Sequence, residues 1–419
     1  MSPGVLSLAS LLIVIGVSMT SRINVGVLAI TLAAGVALVA AGWSVNEFAA
    51  AFPAPLFLIL VGVTLLFGIA VKNGTLAAIT ARMVRLCGHR TAMLPIAFFL
   101  LTFVLSAIGP GAIAGTAIMA PLAMSAGVAA GVPAFLLALM VGVGANAGTL
   151  SPVSLTGIIS LTLLERGGLG GHEAAVFVSN FVAHMVTAVS AYVLFGGLKL
   201  MRENRSAPRT QAEIALPPLT ATHWLTVVVL LTWLGIVVGL EANPGLVAFP
   251  AAVLLILVGA ADDNTALGTI PWSVIIMVSG VGLLITVLDK TGGMVLFTQM
   301  LSNIATPNTA NGIMAGVAGV ISSYSSTSGV VLPAFLPTVS GLVERLGGGN
   351  PLEVALSINV GAALVDVSPL STIGALCIAA VPPGAADTKD LFRKMLLWGF
   401  SMALYGAIFC QLFIGFFAW

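Results

Sequence analysis

Long apolar segments, separated by short polar stretches, make up almost the whole chain. They fall at roughly 5–20, 23–42, 55–71, 91–126, 133–164, 173–199, 222–240, 245–261, 271–288, 311–343, 351–381 and 391–417. Most are long enough for the about 20 residues that a membrane-spanning helix needs. The pattern therefore predicts an all-α polytopic membrane protein.

The apolar segment at 133–164 is interrupted by the stretch NAGTLSPVSLTG, from Asn146 to Gly157. Pro152 lacks a backbone donor and clashes with the preceding turn, and Gly148 adds flexibility, so we expect a helix that breaks and restarts. Inside a bilayer, only surrounding protein or a water-filled cavity can satisfy the N–H and C=O groups of a broken backbone. The stretch is therefore a candidate binding site.

The second half of the chain repeats the first. The stretch PAPLFLILVGVTLLFGIAVKNG at 53–74 aligns with PWSVIIMVSGVGLLITVLDKTG at 271–292, a shift of 218 residues. SPVSLTG at 151–157 aligns with SPLSTIG at 368–374, a shift of 217 residues. Because the shifts agree over about 100 residues, we expect an internal repeat, with a chance alignment of similar apolar helices as the alternative.

Positive charges decide whether the repeats are parallel or inverted, because Lys and Arg collect on the cytoplasmic side. If the interrupted segments 91–126 and 311–343 are re-entrant hairpins, twelve basic residues lie on one side and three on the other. The twelve are Arg22, Lys72, Arg82, Arg85, Arg90, Lys199, Arg202, Arg205, Arg209, Lys389, Arg393 and Lys394, and the three are Arg166, Lys290 and Arg345. This count predicts inverted repeats in a bacterial-type inner (plasma) membrane, with both termini extracytoplasmic.

The expected domains follow from this topology. The first inverted repeat covers 1–200 and the second 222–419, and a cytoplasmic linker at 201–221 joins them. Each repeat contains one re-entrant hairpin and one broken helix, at 91–126 and 133–165 in the first repeat and at 311–343 and 351–381 in the second.

The two hairpins and the second broken helix are interrupted as well. The first hairpin is interrupted by Gly109-Pro110-Gly111, and the second by SSYSSTSG, which has six Ser or Thr residues from Ser322 to Ser328. Hydroxyls can donate and accept, so such a tip can bind an anion or a cation; bonding to their own helix is the alternative. Asp366 lies in the second break, and a carboxylate at that depth is expected to be functional; an acid paired with a buried hydroxyl or amide is the alternative.

These interruptions supply two sets of candidate site residues. The expected substrate-binding residues are Gly111, Asn146, Thr149, Ser151, Ser154, Ser326, Thr327, Ser328, Ser368, Ser371 and Thr372. The expected sites for a coupling cation, Na⁺ or a proton, comprise Ser106, Gly109, Asn146, Gly148, Ser322, Ser325, Asn359 and Asp366. Paired hairpins and broken helices are typical of secondary transporters, whose substrate binds near the midplane between the repeats.

Composition narrows the function further. The chain is 59% hydrophobic and 7% charged, whereas a soluble domain has about 25% charged residues. The net charge of +1 gives no reason to expect a nucleic-acid partner. Cys87, Cys377 and Cys410 have no metal or redox spacing and are expected to be core residues. No soluble cofactor motif is present, so a coupling ion, Na⁺ or H⁺, is the one expected co-ligand.

Taken together, these features resemble the ion transporter superfamily. In each half, a hairpin is followed by a small-residue run ending in proline (GTAIMAP, SGVVLP) and then by a broken helix with an S-P step. Within that superfamily, the chain is most similar to the divalent anion/sodium symporters and the malonate-carrier-type permeases. The resemblance implies an elevator transporter, commonly a homodimer, that takes up carboxylates with Na⁺. The chain lacks the Ser-Asn-Thr tips and T-P-P-N endings characteristic of the symporters.

The sequence therefore predicts a secondary active transporter of small organic anions, with C3 or C4 dicarboxylates such as malonate as the expected substrates. Coupling to Na⁺ or H⁺ and an elevator mechanism are expected. The alternative is a passive anion channel or the membrane subunit of an uptake system that depends on a binding protein. An enzyme is not expected, because no zinc-binding or catalytic pair stands at intramembrane helical spacing.

Overall fold

The computed structural model describes every residue except 1, 22, 87–90, 204–217, 241, 324, 383 and 385. The expected linker thus lies largely outside the described residues, as do Cys87 and the basic residues Arg22, Arg90, Arg205 and Arg209. The described part of the chain is helical and contains no β-strand.

The helices follow the apolar segments closely. The first half contains α1 (Pro3–Thr20), α2 (Val25–Ala34), α3 (Val45–Ala50), α4 (Ala54–Lys72), α5 (Thr75–Leu86), α6 (Leu94–Ala107), α7 (Gly111–Leu122), α8 (Ala134–Gly148), α9 (Leu155–Arg166), α10 (Glu173–Leu194) and α11 (Gly197–Glu203). The second half contains α12 (Ala221–Gly239), α13 (Pro244–Leu257), α14 (Asp263–Gly268), α15 (Trp272–Lys290), α16 (Gly293–Ser302), α17 (Ala310–Ser322), α18 (Leu332–Phe335), α19 (Val339–Leu346), α20 (Pro351–Leu364), α21 (Thr372–Ala379) and α22 (Thr388–Phe413). Short 3₁₀ or π segments lie at Gly35–Ala40, Thr91–Met93, Ala123–Gly127, Thr327–Val331, Leu336–Thr338, Val365–Val367 and Ile414–Phe417.

Six of the described helical stretches are long and apolar enough to cross a membrane. They are Ala54–Lys72, Glu173–Leu194, Trp272–Lys290, Thr327–Leu346, Pro351–Ala379 and Thr388–Phe417. Further apolar helices of 10 to 17 residues accompany them. Large exposed hydrophobic side chains cover the outer helices, as a surface facing lipid requires. The chain is therefore a multi-pass membrane protein.

The helices end where the sequence is interrupted. In the first half, α6 and α7 pack against each other and are joined by 108–110, which we call the first tip; α8 and α9 are separated by 149–154, the first break. In the second half, α17 is followed by 323–326, the second tip, and α20 and α21 are separated by 365–371, the second break. Both breaks contain an S-P step, where proline removes a helical hydrogen bond.

The first two helices of each half pack against helices of the other half. The pair α1 and α2 packs against α15 and α16 of the second half, and the pair α12 and α13 packs against α4 and α5 of the first. Glycines allow the closest crossings. A Cβ on Gly280 of α15 would lie 2.3 Å from the carbonyl oxygen of Gly26 on α2, and a Cβ on Gly62 of α4 would lie 2.4 Å from that of Gly245 on α13. Gly62 and Gly280 occupy the same place in the aligned stretches, so both crossings need a residue without a side chain.

We expect Gly280→Ala to lower the thermal unfolding temperature of the detergent-solubilised protein. The added methyl group would push α2 and α15 apart, and overpacking of this kind typically costs about 1–3 kcal/mol. Gly62→Ala is expected to have the same effect at the other crossing. Gly235→Ala on α12 is the control, because a Cβ there meets nothing within 4 Å. Equal unfolding temperatures for the wild type and the two crossing variants would contradict the packing described here.

Candidate functional site

One cavity of about 420 Å³ brings together both tips and both breaks. Its volume lies within the roughly 300–1,000 Å³ typical of small-molecule sites. The first half contributes Pro110, Gly111, Ala112, Ile113, Thr149, Leu155 and Thr156, and the second half contributes Ser325, Ser326, Thr327, Ser328, Val330, Asp366, Leu370, Ser371, Thr372 and Ile373. The remaining wall is formed by Ile23, Asn24 and Val25 at the start of α2 and by Ser273, Val274 and Met277 on α15.

Besides α2, four helical segments that follow the tips and breaks begin at this cavity. The first residues of α7, α9 and α21 and of the π segment Thr327–Val331 all line it. The first N–H groups of a helix have no partner within the helix, and they carry a partial positive charge. No side chain caps the start of α7, whose N-cap residue is Pro110. The geometry therefore brings helix N-termini together around the cavity, one of them uncapped, and suits an anionic ligand.

The segments that begin here come in two contacting pairs, and each pair joins the halves of the chain. The helix that follows the first tip, α7, packs against α21 of the second half. The segment Thr327–Val331 and the following α18 pack against α9 of the first half. Each pair therefore brings together helix starts from both halves of the chain.

Two serines shape the breaks in the same way. Ser154 Oγ accepts a hydrogen bond from the Gly157 amide (3.2 Å) and donates to the carbonyls of Ser151 (3.0 Å) and Thr149. Ser371 Oγ accepts from the Gly374 amide (3.4 Å) and donates to the carbonyls of Ser368 (2.8 Å) and Asp366. Both serines are thus N-caps of the restarted helix, α9 or α21. The aligned SPxSxxG motifs consequently encode the turn of each break.

A carboxylate ties the second tip to the second break. Thr327 Oγ1 donates to Asp366 Oδ2 at 2.8 Å, and Ser322 Oγ lies 2.5 Å from Thr327 Oγ1 and 3.5 Å from Asp366 Oδ1. Thr327 Oγ1 also lies 3.4 Å from the carbonyl oxygen of Ala362. Among the described residues that line the cavity, Asp366 is the only one with an ionisable side chain. The cavity therefore has one carboxyl group but no described cationic side chain.

The predicted substrate-binding residues divide into two groups. Gly111, Thr149, Ser326, Thr327, Ser328, Ser371 and Thr372 line the cavity. Four others lie behind the lining: Asn146, Ser151, Ser154 and Ser368 are buried. For Ser154 the reason is its capping role, which uses the hydroxyl within the break.

The predicted cation residues also fall in different places. Ser325 and Asp366 line the cavity, whereas Ser106, Ser322 and Asn359 are buried. Gly109 lies in the first tip, and Gly148 is the last residue of α8. Asn359 is engaged elsewhere, because its Oδ1 accepts from Ser160 Oγ at 2.8 Å and its Nδ2 donates to the Ala355 carbonyl at 3.2 Å. It therefore links α20 to α9.

Behind the first tip, several buried polar atoms have no hydrogen-bond partner among the described residues. They are Ser106 Oγ, Thr116 Oγ1 and both amide atoms of Asn146. Ser106 packs directly on Gly148, since a Cβ built on Gly148 would lie 3.0 Å from the Ser106 Cβ. Unpartnered buried oxygens are costly, and oxygen donors are what hard cations such as Na⁺ prefer. The oxygens of this set are candidate ligands for such a cation.

Sequence reasoning missed the wall that lies outside the tips and breaks. Asn24 Nδ2 donates to the carbonyl (2.8 Å) and to Oγ (3.0 Å) of Ser273, and Asn24 Oδ1 caps α2 by accepting from the Gly26 amide (2.9 Å). This bridge joins α2 to α15 at the rim of the cavity. The only signal in the sequence was an asparagine at a helix start, which is usual for an N-cap.

Comparison with known proteins agrees with this architecture. Residues 1–149 match the family described as the N-terminus of the dicarboxylate carrier protein MatC, which is about a third of the chain. No curated protein matches the sequence.

Two solved transporters share the fold. The YdaH transporter of Alcanivorax borkumensis is 15% identical over 88% of this chain and 87% of its own, with a TM-score of 0.53. MtrF of Neisseria gonorrhoeae, described as illuminating a class of antimetabolite efflux pumps, is 13% identical over 99% of this chain and 95% of its own, with a TM-score of 0.61. The chain therefore has a fold found in membrane transporters.

We expect Thr327→Val to release the second tip from the second break, because valine has the same shape but cannot donate to Asp366. Amides in 321–331 should then exchange hydrogen for deuterium at least several-fold faster than in the wild type. Thr338→Val is the matched control, since the Thr338 hydroxyl bonds only to the Phe335 carbonyl of its own helix (2.6 Å) among the contacts described. Unchanged exchange in Thr327→Val would show that this hydroxyl does not link the two segments.

Proposed function

We propose that the chain is a secondary active transporter, a symporter of small organic anions, with C3 or C4 dicarboxylates such as malonate as its substrates. The observation that supports this most directly is the cavity at which four helical segments begin. Free amides and helix dipoles favour an anion there without any described Lys or Arg in the lining. The match of residues 1–149 to a dicarboxylate carrier family supports the same substrate class.

The two pairs of helix starts suit a ligand with two negative ends. In this proposal, one carboxylate lies at the starts of α7 and α21, and the other at the starts of α9 and the segment Thr327–Val331. Hydroxyls of Ser326, Ser328 and Thr372 supply further donors. Because each pair contains one element from each half of the chain, both halves are needed to bind one dianion.

The coupling ion follows from the charge of the cavity. A dianion beside Asp366 would face a like charge, which costs free energy unless a cation or a proton accompanies the substrate. Na⁺ would be bound by the oxygens of Ser106, Asn146 and the Gly148 region behind the first tip. A proton, or a second Na⁺, would be taken up by Asp366 with Ser322 and Thr327. Binding of a cation at either place lowers the electrostatic cost of binding the anion.

Alternating access would occur by an elevator movement of two inverted repeats in a bacterial-type inner membrane. The mobile part would comprise the re-entrant hairpins, the broken helices and α10 and α22. The scaffold would comprise α1–α5 and α12–α16, which exchange helices between the halves. The cavity lies at the boundary of these parts, because α9 packs on α4 and the segment Thr327–Val331 packs on α15. The proposal includes a homodimer with extracytoplasmic termini.

Reconstituted protein is expected to accumulate labelled malonate in liposomes when an inward Na⁺ or proton gradient is imposed. The isolated chain should suffice, since the proposed site is complete within it. Uptake should fall to the level of empty liposomes when the ion gradient is collapsed with an ionophore. Downhill flux that does not depend on either ion gradient would favour a channel instead. Activity that appears only with an added binding protein would favour the membrane subunit of an uptake system.

We expect Asp366→Asn to change the dependence of uptake on cation concentration more than Ser154→Ala does. Asparagine removes the charge next to Thr327, whereas Ser154→Ala removes an N-cap and should mainly lower stability, by about 0.5–2 kcal/mol. Uptake is measured over a series of Na⁺ concentrations and pH values for both variants. Identical cation profiles would remove Asp366 from the coupling site.

A further inference from the structure

The last turn of α8 ends inside the protein, so its carbonyl groups need partners. Within the break, the Thr149 amide donates to the Asn146 carbonyl (3.2 Å) and the Ser151 amide donates to the Gly148 carbonyl (3.1 Å). The Ala147 carbonyl accepts a hydrogen bond from a side chain of another helix, α10. The direction in which α8 ends therefore depends on a group outside the break.

That group is Asn180, which is fully buried on α10. Asn180 Nδ2 donates to the Asn146 carbonyl at 2.8 Å and to the Ala147 carbonyl at 3.3 Å. An amide NH₂ group has two hydrogens, so this orientation places one on each carbonyl. His184, one turn later, lies with Nδ1 2.8 Å from the Asn180 carbonyl and so adds a contact to the same turn of α10.

The second break is supported differently. The carbonyl of Ala362, in the last turn of α20, lies 3.4 Å from the Thr327 hydroxyl, which belongs to the cavity wall itself. Among the described side-chain hydrogen bonds, those to the carbonyls before the first break come from behind the cavity, and the one to the Ala362 carbonyl comes from the cavity wall. A ligand in the cavity can compete for Thr327 but cannot reach Asn180, which is completely buried.

We propose that Asn180 is a positioning residue for the cavity. By donating to the carbonyls of Asn146 and Ala147, the two residues before Gly148, it sets where α8 ends. It thereby sets where Thr149 and the start of α9 face the ligand. This inference rests on the proposed function for its effect on transport, but its effect on the first break can be measured without any transport.

A series of variants with two, one and no side-chain donors tests the transport effect: the wild type, Asn180→Ser and Asn180→Leu. We expect the KM for malonate uptake to rise in that order, by about tenfold for Asn180→Leu, because buried carbonyls lose their partners. The maximal rate should change less than twofold. Asn180→Asp, which places a carboxylate against two carbonyls, should raise KM at least as much. Ser179→Ala is the control, since the buried Ser179 hydroxyl bonds only to the Val176 carbonyl of its own helix (3.2 Å) among the described contacts.

Hydrogen–deuterium exchange separates this inference from the proposed function. Amides in 147–157 should exchange about tenfold faster in Asn180→Leu, whereas those in 366–374 should be unchanged. If the wild type does not transport malonate but this local pattern appears, the proposed substrate fails and the positioning role stands. Exchange that rises equally in both breaks, or that matches Ser179→Ala, would overturn the positioning role. Asn180→Ser provides the same comparison if Asn180→Leu does not fold.

Discussion

The constraint on which this structure depends is that helices end in the middle of an apolar protein. Every exposed amide and carbonyl at such an end must find a partner, because lipid offers none. The chain meets this need in three ways: serine N-caps at the restarted helices, a carboxylate bonded to a hydroxyl pair at the second tip, and an asparagine from α10 at the first break. The start of α7, which no side chain caps, lines the cavity. Stability of the fold and polarity of the cavity are therefore consequences of the same broken helices.

The two halves meet this constraint with similar elements but different chemistry. Ser154 and Ser371 perform the same capping role in the aligned motifs. By contrast, the second tip is tied to its break through Thr327 and Asp366, whereas the first tip is an uncapped glycine–proline turn beside unpartnered buried oxygens. At the first tip the start of α7 has no side-chain cap, and at the second tip the Ser325 hydroxyl has no partner among the described residues. A ligand or cation would meet little competition from the protein there.

Local signals explain how much of this could be predicted from the sequence. The length of the apolar segments predicted the helices. The places where helices stop were predicted from Pro152, Gly109 and the hydroxyl-rich stretch at 322–328, because these residues affect the backbone of their own turn. The division between lining residues and supporting residues could not be obtained this way. Ser154 is polar and sits in a break, yet its hydroxyl is used within the turn. Asn180 and the Asn24–Ser273 bridge act on segments far away in sequence, and an isolated asparagine does not reveal such a partner.

The exchange of first helices between the halves has a consequence for how the protein is made. The close crossings of α2 on α15 and of α4 on α13 form only after the second half has been synthesised. Until then, α1 and α2 have each other as neighbours but lack α15 and α16. Assembly must therefore be a late event that joins both halves at once. A chain that ended before α12 would lack the partners of α2 and α4 together with the second half of the cavity lining.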